Sequence, residues 1–363
     1  MQKPDFRAEI RAYLERFFGE HINIHYIGPL NKEEAKPSDL KEFGYGKNLL
    51  IELEINNEQK SYIMSTMNKN IFGHQFFYDR AKSLLLAHSC YNKLPQHAKS
   101  LDVGAFTGER KFKSAGNCKE FFIIREKVDG DLYFLDLERI KDSNKITNLD
   151  KERIYTLAKY LANIHSKKRK GDSLYKRRIR ELIGHGECIM GLTDSYPNDT
   201  EFTDQEELKE IEKKCIEWRY KIKQKTHRLC QVHGDFHPWN ILFREGQDFS
   251  VIDRSRGEWG EGADDITSIT INYLFYAFQY DEQVGNTFLT LFEMFWNTYL
   301  EETEDFEILS VVAPFYAWRG LVLASPIWYP DLEQSIRRKI FDFIHKVLEQ
   351  DKFDYNLVRE MVE

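Results

Sequence analysis

Between Leu229 and Asp253 two carboxylates and a carboxamide stand at short, fixed intervals. The run His233-Gly-Asp-Phe-His-Pro-Trp-Asn240 puts Asn240 five residues after Asp235, and Val251-Ile-Asp253 adds a second aspartate thirteen residues further on. Leu229-Cys-Gln-Val232 is an apolar run entering the segment, and Ile241-Leu-Phe243 leaves it. Arg244-Glu-Gly-Gln-Asp248 reads as a turn, and Phe249-Ser-Val-Ile252 as the returning strand. The fold must therefore supply a strand, a polar loop and a tight hairpin in succession. That path brings Asp253 back beside Asn240.

The spacing suits phosphoryl transfer, which needs positioning and charge neutralisation more than covalent chemistry. Mg²⁺ keeps several waters and takes only one or two carboxylates besides phosphate oxygens, so Asn240 and Asp253 suffice as its protein ligands. A separate carboxylate must face the incoming hydroxyl, and Asp235 is the candidate. With an unperturbed pKa of roughly 4 it cannot strip an alcohol early; it orients the hydroxyl and accepts the proton late. The competing reading is a structural zinc site from His233, His237 and Asp235. Zinc would want another Cys or His at ligand spacing, whereas Cys230 sits on the strand.

The order of the three residues is that of the catalytic-loop Asp, catalytic-loop Asn and metal-binding Asp of protein kinases, with the same first interval. Gly234 replaces the Arg of that loop, and Asp253 leads into Arg254 in place of Phe-Gly. In this H-G-D-x-H-x-x-N form the segment resembles the aminoglycoside phosphotransferase and choline kinase-like family, small-molecule kinases with a protein-kinase-like fold. Phe72-Gly-His, Asp79-Arg-Ala, Leu101-Asp-Val-Gly-Ala105 and Trp318-Arg-Gly-Leu321 are similar to a bacterial subgroup of it. The resemblance spans roughly Phe43 to Trp328 and is densest around Leu229 to Thr267.

The resemblance implies a bilobal α+β fold. Residues 1–129 would form a nucleotide-binding lobe with an antiparallel sheet, and 130–363 a larger, mainly helical lobe carrying the catalytic loop and acceptor site. It implies transfer of the γ-phosphate of ATP, with Mg²⁺, to a hydroxyl of a small molecule. Asp235 would be catalytic, and Asn240 and Asp253 would hold metal. Aminoglycosides, amino alcohols and sugar derivatives all stay open as acceptors, with a cationic one among them. Phe43-Gly-Tyr-Gly-Lys-Asn48 resembles the nucleotide-covering hairpin, which gives Gly44, Gly46 and Lys47 to the phosphates; glycine lets backbone approach without a Cβ in the way. Glu120 to Gly130 resembles the hinge, with Ile124 behind adenine and the Arg125 carbonyl and Lys127 amide hydrogen-bonding it. Asp265, at a helix start after a glycine-rich loop, matches the position that braces the catalytic loop.

The rest of the chain is read from its patterning. Phe6, Ile10, Tyr13, Leu14 and Phe17 have helical spacing, His21 to Leu30, Leu49 to Ile55 and Lys60 to Met67 read as strands, and Phe72 to Tyr91 as a helix. Leu101 to Phe106 and Phe121 to Val128 complete a five-stranded pattern. Ile154 to Ser166 and Asp204 to Lys225 read as helices, Tyr175 to Tyr196 interrupts regular periodicity, and Ile266 to Val347 is almost wholly helical. Glu187, Asp194, Glu206 and Glu207 are acidic candidates for a cationic acceptor, against the commoner solvated face. Arg256 is set between a transferring phosphate and an internal pair with Glu258 or Asp264. Trp318, Arg319, Trp328 and Tyr329 are set between an aromatic wall for a cation and lobe packing.

No run reaches the ~18 apolar residues of a membrane helix, the first residues lack an apolar signal core, and the five cysteines are scattered without a C-x-x-C. A cytoplasmic protein with reduced thiols is expected. A net charge of −7 argues against a nucleic-acid surface. One departure matters. Tyr62-Ile-Met-Ser65 puts a serine where a kinase third strand carries lysine, so the charge must come from Lys47, Lys69 or Arg80 with Asp79 as the nearest acidic partner, or the chain binds nucleotide as a catalytically silent pseudokinase module.

Overall fold

The two-residue period of a strand decides how the first part of the chain packs. A computed structural model describes residues 6–30, 48–70, 74, 77–107, 118–198 and 200–359. They fall into two compact units, Met1–Asp129 and Gly130–Glu363. Gly44, Gly46 and Lys47 lie outside the described residues.

The first unit runs α1 (Phe6–Phe18), β1 (Asn23–Pro29), β2 (Asn48–Ile55), β3 (Glu58–Thr66), α2 (Phe77–Tyr91), β4 (Ser100–Thr107) and β5 (Cys118–Glu126). The strands form one antiparallel sheet in the order β1-β2-β3-β5-β4. Asn56 and Asn57, both at positive φ, make the two-residue turn between β2 and β3, the hairpin geometry that matches strand twist. Alternation divides the sheet between two cores. Tyr62, Met64, Phe122 and Ile124 pack with Ile10 and Leu14 of α1, whereas Ile123 and Ala105 pack with Ala81, Leu84, Ala87 and Tyr91 of α2. A strand buried on both faces reads as an unbroken apolar run, which is why β5 looks continuous in sequence.

The second unit begins with β6 (Asp131–Leu132) and helices α3 (Tyr133–Ser143), α4 (Asn148–Ser166), α5 (Asp172–Gly184), α6 (Ile189–Thr193) and α7 (Gln205–Ile222). Short strands follow: β7 (Cys230–Gln231), β8 (Ile241–Phe243), β9 (Phe249–Val251) and β10 (Trp259–Gly260). Helices α8 (Ala263–Gln279), α9 (Glu282–Thr303), α10 (Ala313–Ala324) and α11 (Gln334–Glu349) complete it. α4 starts on a capping box: the Thr147 hydroxyl accepts from the Asp150 amide, and the Asp150 carboxylate accepts from the Thr147 amide at 2.7 Å. α8 is buried nearly all round and packs against α9, α10 and α11. β8 pairs with both β6 and β9, and β7 with β10, all antiparallel.

The expectation of irregular chain over Tyr175 to Tyr196 is corrected. α5 is a regular helix whose buried residues Tyr175, Ile179, Leu182 and Ile183 keep helical spacing; exposed Lys176, Arg177 and Arg180 on its other face mask it in sequence. Within that span only the short stretch between α5 and α6 and the turn Asp194–Tyr196 depart from helix.

α10 approaches α11 closely at Gly320, where a Cβ would come within 2.8 Å of Ile344 Cγ1 and 2.9 Å of its Cδ1. Gly320→Ala should destabilise the protein by about 1–3 kcal/mol through overpacking. Ile344→Val in the same chain should recover part of that, read as denaturation midpoints in urea.

Candidate active site

β7 and β8 fix the two ends of the polar loop, and the hairpin between β8 and β9 returns the chain to it. Ile241 pairs with Val251, and the Ile252 amide donates to the Asn240 carbonyl at 3.0 Å, so Asp253 follows immediately beside Asn240. Asp253 itself adopts φ +65°, a left-handed conformation that costs a non-glycine residue energy and marks functional sites when surrounding structure enforces it. Gly234 is also left-handed, at φ +89°, and a Cβ there would lie 3.0 Å from the Cβ of Arg256.

The loop hangs on Asp265. Its carboxylate, fully buried in the first turn of α8, accepts the backbone amides of His233 at 2.8 Å and Gly234 at 2.6 Å. His165 Nε2 lies 3.1 Å from the same carboxylate, and His165 Nδ1 is 2.9 Å from the Tyr299 hydroxyl. Burial pushes this carboxyl up, but the hydrogen bonds from His165 and from the His233 backbone, with the electrostatic pull of the two imidazoles, outweigh it and hold it below the ordinary range. The bracing role read for Asp265 describes this arrangement.

Asp235 sits inside the loop and is 3% exposed. Its Oδ1 accepts from Arg319 Nη1 at 2.9 Å; its Oδ2 lies 3.4 Å from both His237 Nε2 and Asn240 Nδ2. Burial would raise its pKa, yet His237, Arg256 and Arg319 together hold the carboxyl well below its usual value. It is therefore an anion at neutral pH, a weak base but a firm acceptor. Asn240 turns its amide nitrogen inward, donating to the Asp235 carbonyl at 3.0 Å. His233 Nδ1 accepts the Asp235 amide at 3.2 Å, and burial drives its pKa down to about 4, so the ring stays neutral.

Arg319 was named in the sequence only as part of an aromatic stretch. It donates to Asp264 Oδ1 at 2.6 Å as well as to Asp235. Asp264 is pushed up to about 6 because burial outweighs the Arg319 and Arg256 charges. No fixed spacing announces this residue, which lies 84 positions from Asp235. The one signal is a lone arginine inside the apolar helix Ala313–Ala324, since a buried guanidinium requires anionic or carbonyl partners.

Of the two readings open for Trp318, packing is the one that describes it. That ring is 2% exposed, with the guanidiniums of Arg319 and Arg256 over it at 3.9 and 4.6 Å, and its Nε1 donates to the Glu187 carbonyl at 2.9 Å. Protein cations already take the place a ligand cation would need. Arg256 also lies 3.7 Å from the Glu187 carboxylate. Glu207 is committed elsewhere, to Arg338 at 2.7 Å and His345 at 2.8 Å, and Glu206 makes a surface pair with Lys209. Among the described residues no group of three or more His, Cys, Asp or Glu side chains is placed to hold a metal, so the zinc reading has no support here.

In the first unit, Ser65 is buried and donates to Asn48 Oδ1 at 2.6 Å. Arg80 is bound to Glu120 through Nε at 3.0 Å and Nη2 at 2.7 Å, and to the His74 carbonyl at 2.8 Å. It is thus a structural pair, whereas Lys69 is exposed. Ile124 is enclosed in the α1-side core rather than on an open face. The Lys127 amide donates to the Ser61 carbonyl over a long 3.3 Å, one strand position past Arg125 and Glu126.

Residues 129–289 match the Phosphotransferase enzyme family (APH). No curated protein matches the chain in sequence. Among solved structures the chain is similar to a putative fructosamine-3-kinase from Haemophilus somnus 129PT, with 13% identity and a TM-score of 0.50 over 93% of this chain and 97% of that one. It is similar to the amicoumacin kinase hAmiN in complex with AMP-PNP, Ca²⁺ and Ami, with 15% identity and a TM-score of 0.51 over 92% and 91%. A third is the aminoglycoside phosphotransferase APH(4)-Ia, with 13% identity and a TM-score of 0.51 over 94% and 99%. At these identities the structural likeness establishes the protein-kinase-like fold, and the family match covers the segment that carries the loop. The resemblance read from His233–Asn240 is borne out. By class, the chain is a small-molecule phosphotransferase with an alcohol group as acceptor. No helix among the described residues is long and apolar enough to cross a membrane.

Two outcomes test the geometry. Asp265→Asn keeps the shape but cannot accept both amides and His165 together; it should cost about 2–4 kcal/mol, since it removes one partner from a buried charged network. His233 is lowered from 6.5 to about 4 on folding, so the unfolded state takes its proton first as pH falls. Stability should decline by up to about 3 kcal/mol between pH 6.5 and 4 on this account. The difference between wild type and His233→Gln should narrow over that window in urea titrations.

Proposed function

We propose that the protein transfers the γ-phosphate of ATP to a hydroxyl of a small molecule, with Asp235 facing the hydroxyl and Asn240 and Asp253 holding a divalent cation, Mg²⁺. The observation that carries this reading is the buried, ionised Asp235 carboxylate on a loop that ends at Asn240 and that the β8–β9 hairpin follows with Asp253. The donor set suits the ion. Asn240 commits its amide nitrogen to Asp235, which leaves its oxygen as the coordinating atom, and Asp253 supplies a carboxylate two residues past the end of β9. When bound, such an ion would supply positive charge to offset that of the phosphates.

The chain's own contribution is orientation. Asp235 accepts a hydrogen bond from the acceptor hydroxyl, aims its oxygen and takes the proton as the new bond forms. Its depressed pKa makes early deprotonation ineffective, which agrees with a loose transition state in which the nucleophile gains little charge before phosphate transfer. We assign the adenine to Ile124–Lys127, where the long Lys127–Ser61 bond is the one a base would replace, and the phosphates to Gly44, Gly46 and Lys47. The acceptor classes stay those of the similar kinases: an aminoglycoside, an amino sugar or other sugar derivative, or an amino alcohol. The filled Trp318 face disfavours recognition of an alkylammonium group there.

A second reading, nucleotide binding without turnover, draws on Ser65 and on the engagement of Arg80 by Glu120. It leaves the retention of Asp235, Asn240 and Asp253 together without a purpose. Purified protein with ATP and Mg²⁺, tested on aminoglycosides, amino alcohols and sugars, should phosphorylate a member of the panel. Asp235→Asn should lower kcat about 10²–10⁴-fold, and Asn240→Ala or Asp253→Ala at least as much. Turnover indifferent to Asp235→Asn would overturn the assignment, and ATP binding with no turnover on the whole panel would favour the second reading.

A further inference from the structure

Asp235 has two carboxylate oxygens, and only one of them can meet an acceptor hydroxyl. Oδ1 is taken by Arg319 at 2.9 Å, while among the described residues Oδ2 has two long contacts, both 3.4 Å, to His237 and Asn240. Arg319 is itself fixed from several directions. Nη2 donates to Asp264 Oδ1 at 2.6 Å and to the Gly234 carbonyl at 3.4 Å, and the guanidinium lies over the Trp318 ring at 3.9 Å. It is 7% exposed, so its charge is poorly screened by water. α10 thereby reaches the catalytic loop and the first turn of α8 through one planar group.

We propose that Arg319 is a positioning residue: it holds Oδ1 of Asp235 against α10 and so dictates that Oδ2 is the oxygen presented to the acceptor. This rests on the assignment of Asp235 above. The requirement is for a planar fork, because a single guanidinium spans Asp235 and Asp264 with separate nitrogens. A lysine ammonium at the same place is a point charge on a flexible stem and cannot hold both carboxylates in one orientation. Asp264 anchors the fork, so its loss should free Arg319 in part.

The test is steady-state kinetics of the whole enzyme with its best acceptor from the panel. Arg319→Ala should lower kcat about 10²-fold, the scale of a misplaced catalytic group, while KM for ATP moves less than about threefold, marking a loss confined to the transition state. Arg319→Lys should recover only part, Asp264→Asn should give a smaller loss, and added guanidinium ion should partly rescue Arg319→Ala. The discriminating measurement is the double variant. A residue that acts through Asp235 costs nothing further once Asp235→Asn is in place, whereas a general structural contribution multiplies with it. Should Arg319→Ala fail to fold, Arg319→Lys and Asp264→Asn carry the same comparison. Wild-type turnover with unchanged kcat in these variants, or a loss that appears only in KM or multiplies with Asp235→Asn, overturns this inference alone. Absence of Asp235-dependent turnover in the wild type removes the functional reading, and this inference with it.

Discussion

One buried carboxylate organises the second unit. Asp265 stands at the N-terminal turn of α8, where the helix dipole favours negative charge, and it satisfies two loop amides that have no strand partner. A loop this buried would otherwise carry unsatisfied N–H groups, each costing about 1–3 kcal/mol. The brace also explains why the loop follows β7 and precedes β8 so directly. Its backbone has no freedom between Gly234, forced into left-handed φ, and the single 3-10 turn Pro238–Asn240. α4 reaches the same carboxylate through His165, so three elements distant in sequence converge on one side chain.

The same economy of buried charge recurs nearby. Arg228 is 4% exposed and is held by Glu261, Asp305 and Glu307, while Tyr175 donates to Glu261 at 2.7 Å. Arg254 is fully buried and spends its donors on the carbonyls of Val232 and Glu258 at 2.9 Å each. Arg337 caps the end of α10 by donating to the Ala324 carbonyl at 2.6 Å and to the carbonyls of Tyr329 and Pro330. Guanidiniums suit these places because five fixed donors can serve several oxygens at once. Arg228 and Arg254 thus fasten chain on either side of the His233–Asn240 loop, whereas Arg337 closes the end of α10.

What could be read from the sequence follows from which interactions are local. The polar loop His233–Asn240, the β8–β9 hairpin and the Asp265 brace are set by spacing within about three dozen residues, and the path of each is legible in the sequence. So are the five strands, through alternation and through the Asn56-Asn57 turn. α5 was hidden because charged residues crowd its exposed face, so the apolar spacing had to be read through them. Arg319 was hidden for a different reason: its partners Asp235 and Asp264 lie 84 and 55 residues away, and no local pattern encodes a contact made by packing α10 on α8. The side chain of Ile124 shows the cost of a one-residue ambiguity in a doubly buried strand. Neighbouring Ile123 and Ile124 are equally apolar, yet they face opposite cores.

Charge balance ties the site to the missing strand lysine. Around the loop stand the carboxylates of Asp235, Asp253, Asp264, Asp265 and Glu187, against the guanidiniums of Arg254, Arg256 and Arg319. Asp264, pushed up to about 6 with Arg319 only 2.6 Å away, registers how strongly burial weighs in this anionic setting. An excess of negative charge on buried and half-buried carboxylates is costly unless a cation offsets it, which supports the divalent ion proposed at Asn240 and Asp253. In the first unit, Ser65 contributes no charge, and Arg80 is neutralised by Glu120 at 2.7 Å. A cation already paired adds little field at a phosphate. On the function proposed above, the neutralisation that a third-strand lysine gives protein kinases would fall chiefly to the divalent ion. A site organised this way should tolerate serine at position 65 far better than any loss among Asp235, Asn240 and Asp253.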